Sequence, residues 1–253
     1  MLTIDGLSER KRTILDMLAQ NGVISISEIS KSLNVSAVTV RSDLSSLEDA
    51  GFIVRTRGGA STALHRSILE RQRHKNEEKN KIARAAAELV GDGDTIMIEA
   101  GTTTALIGKY LLGRRDVHVV SNSALLLPFA RSNPSLHLTL TGGEFRSFTE
   151  SFVGPMALQV IEQFHVMIAF VGTDGFSIEE GLTTHLPEGA EIVRKMALQA
   201  ERSVLVADST KFGRAGFASV LPIDKIDRVV SDLELDPANA RRIEEAGPEV
   251  ELV

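Results

Sequence analysis

The sequence predicts two domains of different class: a small α+β domain over residues 1–60 and a larger α/β domain with a mostly parallel sheet over residues 80–253, joined by a linker at 61–79. Three observations predict this division. The length, 253 residues, suits one large domain with a small satellite. The hydrophobic pattern first reads helix, helix, turn, helix and hairpin, then changes to strands and helices in alternation. The charge changes with it. Residues 1–90 carry 14 Lys and Arg against 11 Asp and Glu, a net of +3; residues 91–253 carry 14 against 23, a net of −9, within the overall −6. A basic front on an acidic body permits nucleic-acid binding by the front without demonstrating it.

The front elements follow in order. Ser8 caps a first helix over Glu9–Gln20, with Ile14, Leu15 and Leu18 as its apolar stripe and Asn21-Gly22 as its stop. Ser25 and Glu28 have capping-box spacing and open a second helix through Ile26, Ile29 and Leu33. Asn34-Val35 is a tight turn, and Ser36 caps a third helix that runs to Ala50, with Gly51 just beyond it. Phe52–Thr56 reads as a strand, and Gly58-Gly59 turns the chain back. This is the order of a winged helix-turn-helix.

The third helix decides what the front is for. Ala37, Val40, Leu44 and Leu47 recur at helical spacing and face inward. Ser36, Val38, Thr39, Arg41, Ser42 and Ser45 are left outward, a surface of short side chains around one arginine. Such a face enters a major groove without clashing, and the Arg41 fork reads guanine or grips a phosphate. Arg55 and Arg57 on the hairpin are placed for neighbouring phosphates. The same pattern also suits a plain solvated helix or a protein-docking module, and the residues alone leave these open.

Behind the front, Ser61–Lys79 is polar and reads as an extended or partly helical connector. Ile82, Ala85, Ala86, Leu89 and Val90 form an amphipathic helix ending at Gly91. Strand-like runs follow at Thr95–Ile98, Val117–Val120, Leu136–Leu140, Val166–Val171, Val204–Val206, Arg228–Val230 and Val250–Val253. Helical patterns occupy Thr103–Leu112, Ala124–Ser132, Pro155–Phe164, Glu188–Glu201 and Pro237–Ala246. This alternation predicts a Rossmann-like parallel sheet covered on both faces.

The composition excludes several function classes. No apolar run approaches the ~18–20 residues of a membrane span, and Met1-Leu-Thr-Ile-Asp5 lacks a basic-then-apolar leader, so a cytoplasmic location and no membrane partner are expected. The absence of cysteine excludes disulfides, thiolate metal sites and thiol catalysis. The histidines at 65, 74, 118, 137, 165 and 185 show no metal-ligand spacing, so no metal is expected, and no cofactor motif is present. Gly-x-Ser-x-Gly is absent as well.

Ligands of open α/β sheets bind beyond the carboxyl ends of strands. Here those ends read Glu99-Ala-Gly-Thr-Thr-Thr104, Ser121-Asn-Ser123, Thr141-Gly-Gly143, Gly172-Thr-Asp-Gly175 and Asp208-Ser-Thr-Lys211. One polar strand end is ordinary turn chemistry; five on one rim predict a ligand pocket. Gly101 lets backbone approach a ligand, and Thr102, Thr103 and Thr104 stand where a helix begins, an arrangement that favours an anion such as phosphate. The loop lacks the Gly-Lys-Thr/Ser ending of a nucleotide-hydrolysing loop. Asn122, Asp174 and Lys211 supply the hydrogen bonds and charge that a polyhydroxy compound needs.

The run Ser36-Ala-Val-Thr-Val-Arg-Ser-Asp-Leu44, with Leu47-Glu48 and Arg55-Thr-Arg-Gly-Gly-Ala60, closely resembles the N-terminal signature of the DeoR family of bacterial transcription regulators. Ser42 departs from it, standing where the family usually carries a second arginine. The strand-end motifs are similar to the family's sensor domain, a relative of sugar-phosphate isomerases. The resemblance implies that Gly101, Thr102, Thr103 and Thr104 cradle a phosphate, while Ser121, Asn122, Gly142, Gly143, Asp174, Gly175 and Lys211 line a sugar site. Further departures are Glu99 for the usual Asp at the opening of the loop, Met167 for an Asp, and Glu188-Gly189-Ala190 in a stretch where Glu-Ala is common. The implied function is a repressor of a carbohydrate-utilisation operon, bound to operator DNA as a homodimer or homotetramer and controlled by a phosphorylated sugar. The competing reading is a sugar-phosphate isomerase or deaminase, with Asp174 or Glu188 as base and Lys211 as electrostatic partner.

Overall fold

The computed structural model describes residues 7–50, 52–62 and 64–253. The chain divides into two compact units, residues up to Arg71 with Ser147–Thr149, and Gln72–Arg146 with Glu150–Val253.

The first unit contains α1 (Glu9–Asn21), β1 (Val23–Ser25), α2 (Ile26–Leu33), α3 (Ala37–Asp49), β2 (Ile53–Thr56) and β3 (Gly59–Thr62). Local chemistry sets each boundary. Gly22 ends α1, its N–H donating to the Leu18 carbonyl at 2.8 Å. Ser25 and Glu28 close the expected capping box at the start of α2. Asn34, at φ 52°, terminates that helix in the left-handed region, and the Ser36 hydroxyl accepts the Thr39 N–H to start α3. The expected Gly51 cap lies outside the described residues. Ile14, Leu15, Leu18, Ile29, Val40, Leu44 and Leu47 are wholly buried together. The wing holds three strands in the order β1-β3-β2. β1 was not expected: three residues are too few for a period-2 signal, and only pairing with β3 defines them.

The anticipated linker is mostly helical: α4 (Arg66–Arg73) runs across the boundary at Arg71, and α5 (Asn76–Glu88) belongs to the second unit. The second unit continues through β4 (Thr95–Ile98), α6 (Thr104–Tyr110), β5 (Val117–Ser121), α7 (Leu127–Ser132), β6 (Leu136–Leu140), β7 (Glu144–Arg146), β8 (Ser151–Val153), α8 (Pro155–Ile161), β9 (Val166–Val171), β10 (Gly175–Ser177) and β11 (Gly181–Thr184). α9 (Pro187–Leu198), β12 (Ala200–Val206), β13 (Ala218–Leu221), β14 (Arg228–Ser231), α10 (Pro237–Glu245) and β15 (Glu249–Leu252) complete it. The helix expected over Glu188–Glu201 is shorter, because Ala200 and Glu201 pair into β12.

Seven strands form one parallel sheet in the order β15-β14-β12-β9-β4-β5-β6. Alternation along the strands divides its two cores. Ile96, Ile98, Ile168, Phe170, Val204 and Val206 pack with Ile82, Ala86 and Ile107 from α5 and α6. Met97, Ala169, Val171 and Leu205 pack with Ala157, Ile161, Val193, Met196 and Ile243 from α8, α9 and α10. Helices thus cover both faces, as buried parallel strands require. A hairpin, β7-β8, and a small antiparallel sheet, β10-β11-β13, stand apart from it.

Candidate functional site

The first candidate surface is the outer face of α3. Val38 (72% exposed), Arg41, Ser42 and Ser45 face solvent, while Thr39 is half-buried with its hydroxyl 2.9 Å from that of Ser36. On the wing Arg57 is exposed and Arg55 is half-buried. None of the three arginines makes a hydrogen bond or ion pair among the described residues. The inner side of α3 is anchored by charge as well as packing: buried Asp43 accepts from Arg10 through both oxygens, at 2.5 and 3.1 Å. The helix therefore presents a short-chained polar face with one free guanidinium, held from behind. Chemically it suits a groove lined with phosphates and base edges.

The second candidate is the carboxyl rim of the parallel sheet. All five expected loops leave strands that are neighbours, in the order β12-β9-β4-β5-β6. β4 is the first of them in the chain. From it the chain builds β5 and β6 on one side, then returns to build β9, β12, β14 and β15 on the other. The switch point falls between β4 and β9, where open α/β sheets bind ligands. Glu99 spans it, its Oε2 accepting the Gly172 N–H at 3.2 Å.

The structure distinguishes residues that hold the loops from residues left available. Asn122 is buried, its Oδ1 accepting the Ala100 N–H at 2.8 Å and its Nδ2 donating to the Phe152 carbonyl at 3.1 Å. The buried Ser121 hydroxyl donates to the Ile98 carbonyl and accepts the Ser123 N–H. Both side chains clamp neighbouring loops. Thr104 is buried and donates to the Gly101 carbonyl at 3.1 Å; Thr103 is buried beside it. Gly101 and Thr102 are half-exposed, and the N–H groups of Gly101–Thr104 precede the first bond of the α6 turn, Ala105 to Gly101. Gly142 and Gly143 take φ of 63° and 105°, and a Cβ on Gly143 would lie 2.6 Å from the Val153 carbonyl oxygen. A Cβ on Gly175 would lie 2.4 Å from the Arg214 carbonyl oxygen, so that glycine serves a close backbone approach. Half-buried Asp174 accepts the His185 N–H at 2.9 Å. Lys211 ends a 3-10 turn, Ser209–Lys211, and its amine has no partner among the described residues.

Asp208, which opens the fifth polar strand end, is a residue the sequence pattern does not single out. It is 1% exposed, accepts the Thr210 N–H and hydroxyl with Oδ1, and leaves Oδ2 buried without a partner. Asp232, at the end of β14, accepts the Ser209 and Glu234 N–H groups and fixes the adjoining turn. Among the described residues four buried side-chain polar atoms have no partner, and three of them, on Ser123, Asp208 and Ser231, lie at the carboxyl ends of β5, β12 and β14. Each such atom costs about 1–3 kcal/mol unless something pairs with it. The Asp-Ser-Thr-Lys composition was the only sequence signal for Asp208; which oxygen stays free is decided by the turn.

Comparison with known proteins assigns both parts of the chain to described domains. Residues 10–65 match the family model described as a DeoR-like helix-turn-helix domain, and residues 74–233 match the DeoR C terminal sensor domain. The HTH-type transcriptional regulator GolR of Listeria innocua is 32% identical over 96% of this chain and 98% of its own length. The HTH-type transcriptional repressor GlcR of Bacillus subtilis is 34% identical, over 88% of each chain. The lactose phosphotransferase system repressor of Lactococcus lactis is 34% identical over 90% of this chain and 92% of its own. Among solved structures, ribose 5-phosphate isomerase A from Neisseria gonorrhoeae matches 55% of this chain and 54% of its own with a TM-score of 0.40 and 18% identity. On the two family matches, which together run from residue 10 to residue 233, the chain belongs to the DeoR family of transcription regulators.

Proposed function

We propose that this protein represses a carbohydrate-utilisation operon, binding operator DNA through α3 and the wing and a phosphorylated sugar or related phosphorylated metabolite at the rim of the parallel sheet. The observation that carries the ligand half is the buried, unpartnered carboxylate oxygen of Asp208 at the end of β12, in the same turn as Lys211, whose amine has no partner among the described residues. Carboxylate and hydroxyl oxygens pair with sugar hydroxyls. The N–H groups of Gly101–Thr104, the Thr102 hydroxyl and Lys211 receive the phosphate, and Glu99 holds the β4 loop against β9. Ser121, Asn122 and Gly143 act by fixing loop shape. The names of GlcR and of the lactose phosphotransferase system repressor support repression of sugar genes.

Control requires the effector to bind the operator-competent and operator-incompetent states with different affinity, about 1–3 kcal/mol for typical coupling. A palindromic operator requires at least a homodimer, and a homotetramer serves two operators. The enzymatic alternative is less well supported, because the family models and the curated relatives that match this chain are those of transcription regulators. In-vitro selection of genomic fragments on the purified chain tests the DNA half. One enriched motif beside carbohydrate genes is the expected result; uniform weak retention of all fragments would overturn it.

A further inference from the structure

Asp116 directly precedes β5, and His118 is the second residue of that strand. His137 is the register partner of His118 on β6. The two imidazoles stack with centroids 4.6 Å apart and planes at 20°, and His137 Nε2 lies 3.1 Å from Asp116 Oδ1. One nitrogen from each histidine and one Asp116 oxygen all fall within 4.8 Å of each other, and all three residues are exposed. No histidine spacing along the chain signals this grouping, because it arises from the register between β5 and β6.

We propose that Asp116, His118 and His137 form a binding site for a borderline divalent metal ion of the Zn²⁺ class. Two imidazoles and one carboxylate suit such an ion, whereas Mg²⁺ and Ca²⁺ take oxygen ligands. Ligand atoms on one tetrahedral zinc stand about 3.3 Å apart, given bonds near 2.0–2.1 Å. The Asp116–His137 pair, at 3.1 Å, is already near that separation, and His118, exposed and stacked on His137, closes the remainder by rotating its side chain. Three protein ligands leave a fourth position open to solvent. β6 is the last strand of the sheet, and the site lies near the amino ends of β5 and β6, at the opposite end of these strands from Ser121 and Thr141. A bound ion would cross-link the edge strand to its neighbour, independently of anything bound at the carboxyl rim.

The test is calorimetric titration of the full, untagged chain with ZnCl₂ in buffer containing Mg²⁺. The expected result is one Zn²⁺ per chain, with affinity falling at least about tenfold in His137→Gln and in Asp116→Asn and unchanged in His165→Gln. Asn tolerates the left-handed φ of 61° at position 116, so that variant keeps the fold. Absence of Zn²⁺ binding by the parent chain, or equal affinity in the His118→Gln/His137→Gln double variant, would overturn the proposal.

Discussion

At the residue scale, hydrogen bonding separates the side chains left available to a partner from those that hold a surface in shape. Arg41 is exposed and unpaired, so Arg41→Ala is expected to weaken operator binding by about 1–3 kcal/mol and to leave random DNA nearly unaffected. Gel-shift titrations on both DNAs check this; equal loss on both would make Arg41 a phosphate clamp. At the rim, Lys211→Ala is expected to weaken the phosphorylated effector by about 1.5–3 kcal/mol, the range for a hydrogen bond to a charged group. Its operator affinity without effector should stay the same. The sequence named Lys211 and Asn122 alike as ligand residues. It could not rank them, because the Asn122 amide is consumed by two backbone groups from distant loops, Ala100 and Phe152. Composition identified the rim; tertiary partners decide which of its atoms remain free.

The same distinction holds for whole elements. The parallel strands were legible because strands buried on both faces read as continuous Val, Ile and Leu runs. β7, β8, β10, β11 and β13 were not, being three or four residues long, rich in Gly, Ser and Thr, and defined by their antiparallel partners. The caps at Ser25 and Ser36 were legible because capping is local chemistry, whereas Ser8, expected to cap α1, stands at its N-cap position without a side-chain cap hydrogen bond. Glu28 shows the consequence of capping: hydrogen bonds from the Ser25 hydroxyl and N–H hold its carboxyl below the ordinary glutamate range. Its contribution is therefore present above its unfolded-state pKa and lost as pH falls through the lowered value. Thermal melts of Glu28→Ala against the parent should differ at neutral pH and converge in strong acid. Wholly buried Leu44 anchors α3, and Leu44→Ala is expected to destabilise the first unit by about 2–5 kcal/mol. In the second unit, Gly143→Ala meets both a left-handed φ and the Val153 carbonyl, so its melting temperature should drop.

For the molecule as a whole, the charge split is the broadest sequence signal, with +3 in front and −9 behind. Operator affinity should fall steeply and log-linearly with salt as released counterions cease to drive binding; a flat salt profile would exclude α3 and the wing as the DNA surface. The order of the seven strands was not legible, yet it is what makes five separate loops into one rim and sets Glu99 against Gly172 across the switch point. The proposed function requires that a ligand at the rim change the operator affinity of the front. The most direct measurement is fluorescence anisotropy of the selected operator fragment bound to the full chain, titrated with a panel of sugar phosphates and their unphosphorylated sugars. A shift in operator affinity of about 5–150-fold with one phosphorylated sugar, absent with its free sugar and lost in Lys211→Ala, is the predicted result. No shift with any phosphorylated sugar, or an equal shift with the free sugar, would contradict it.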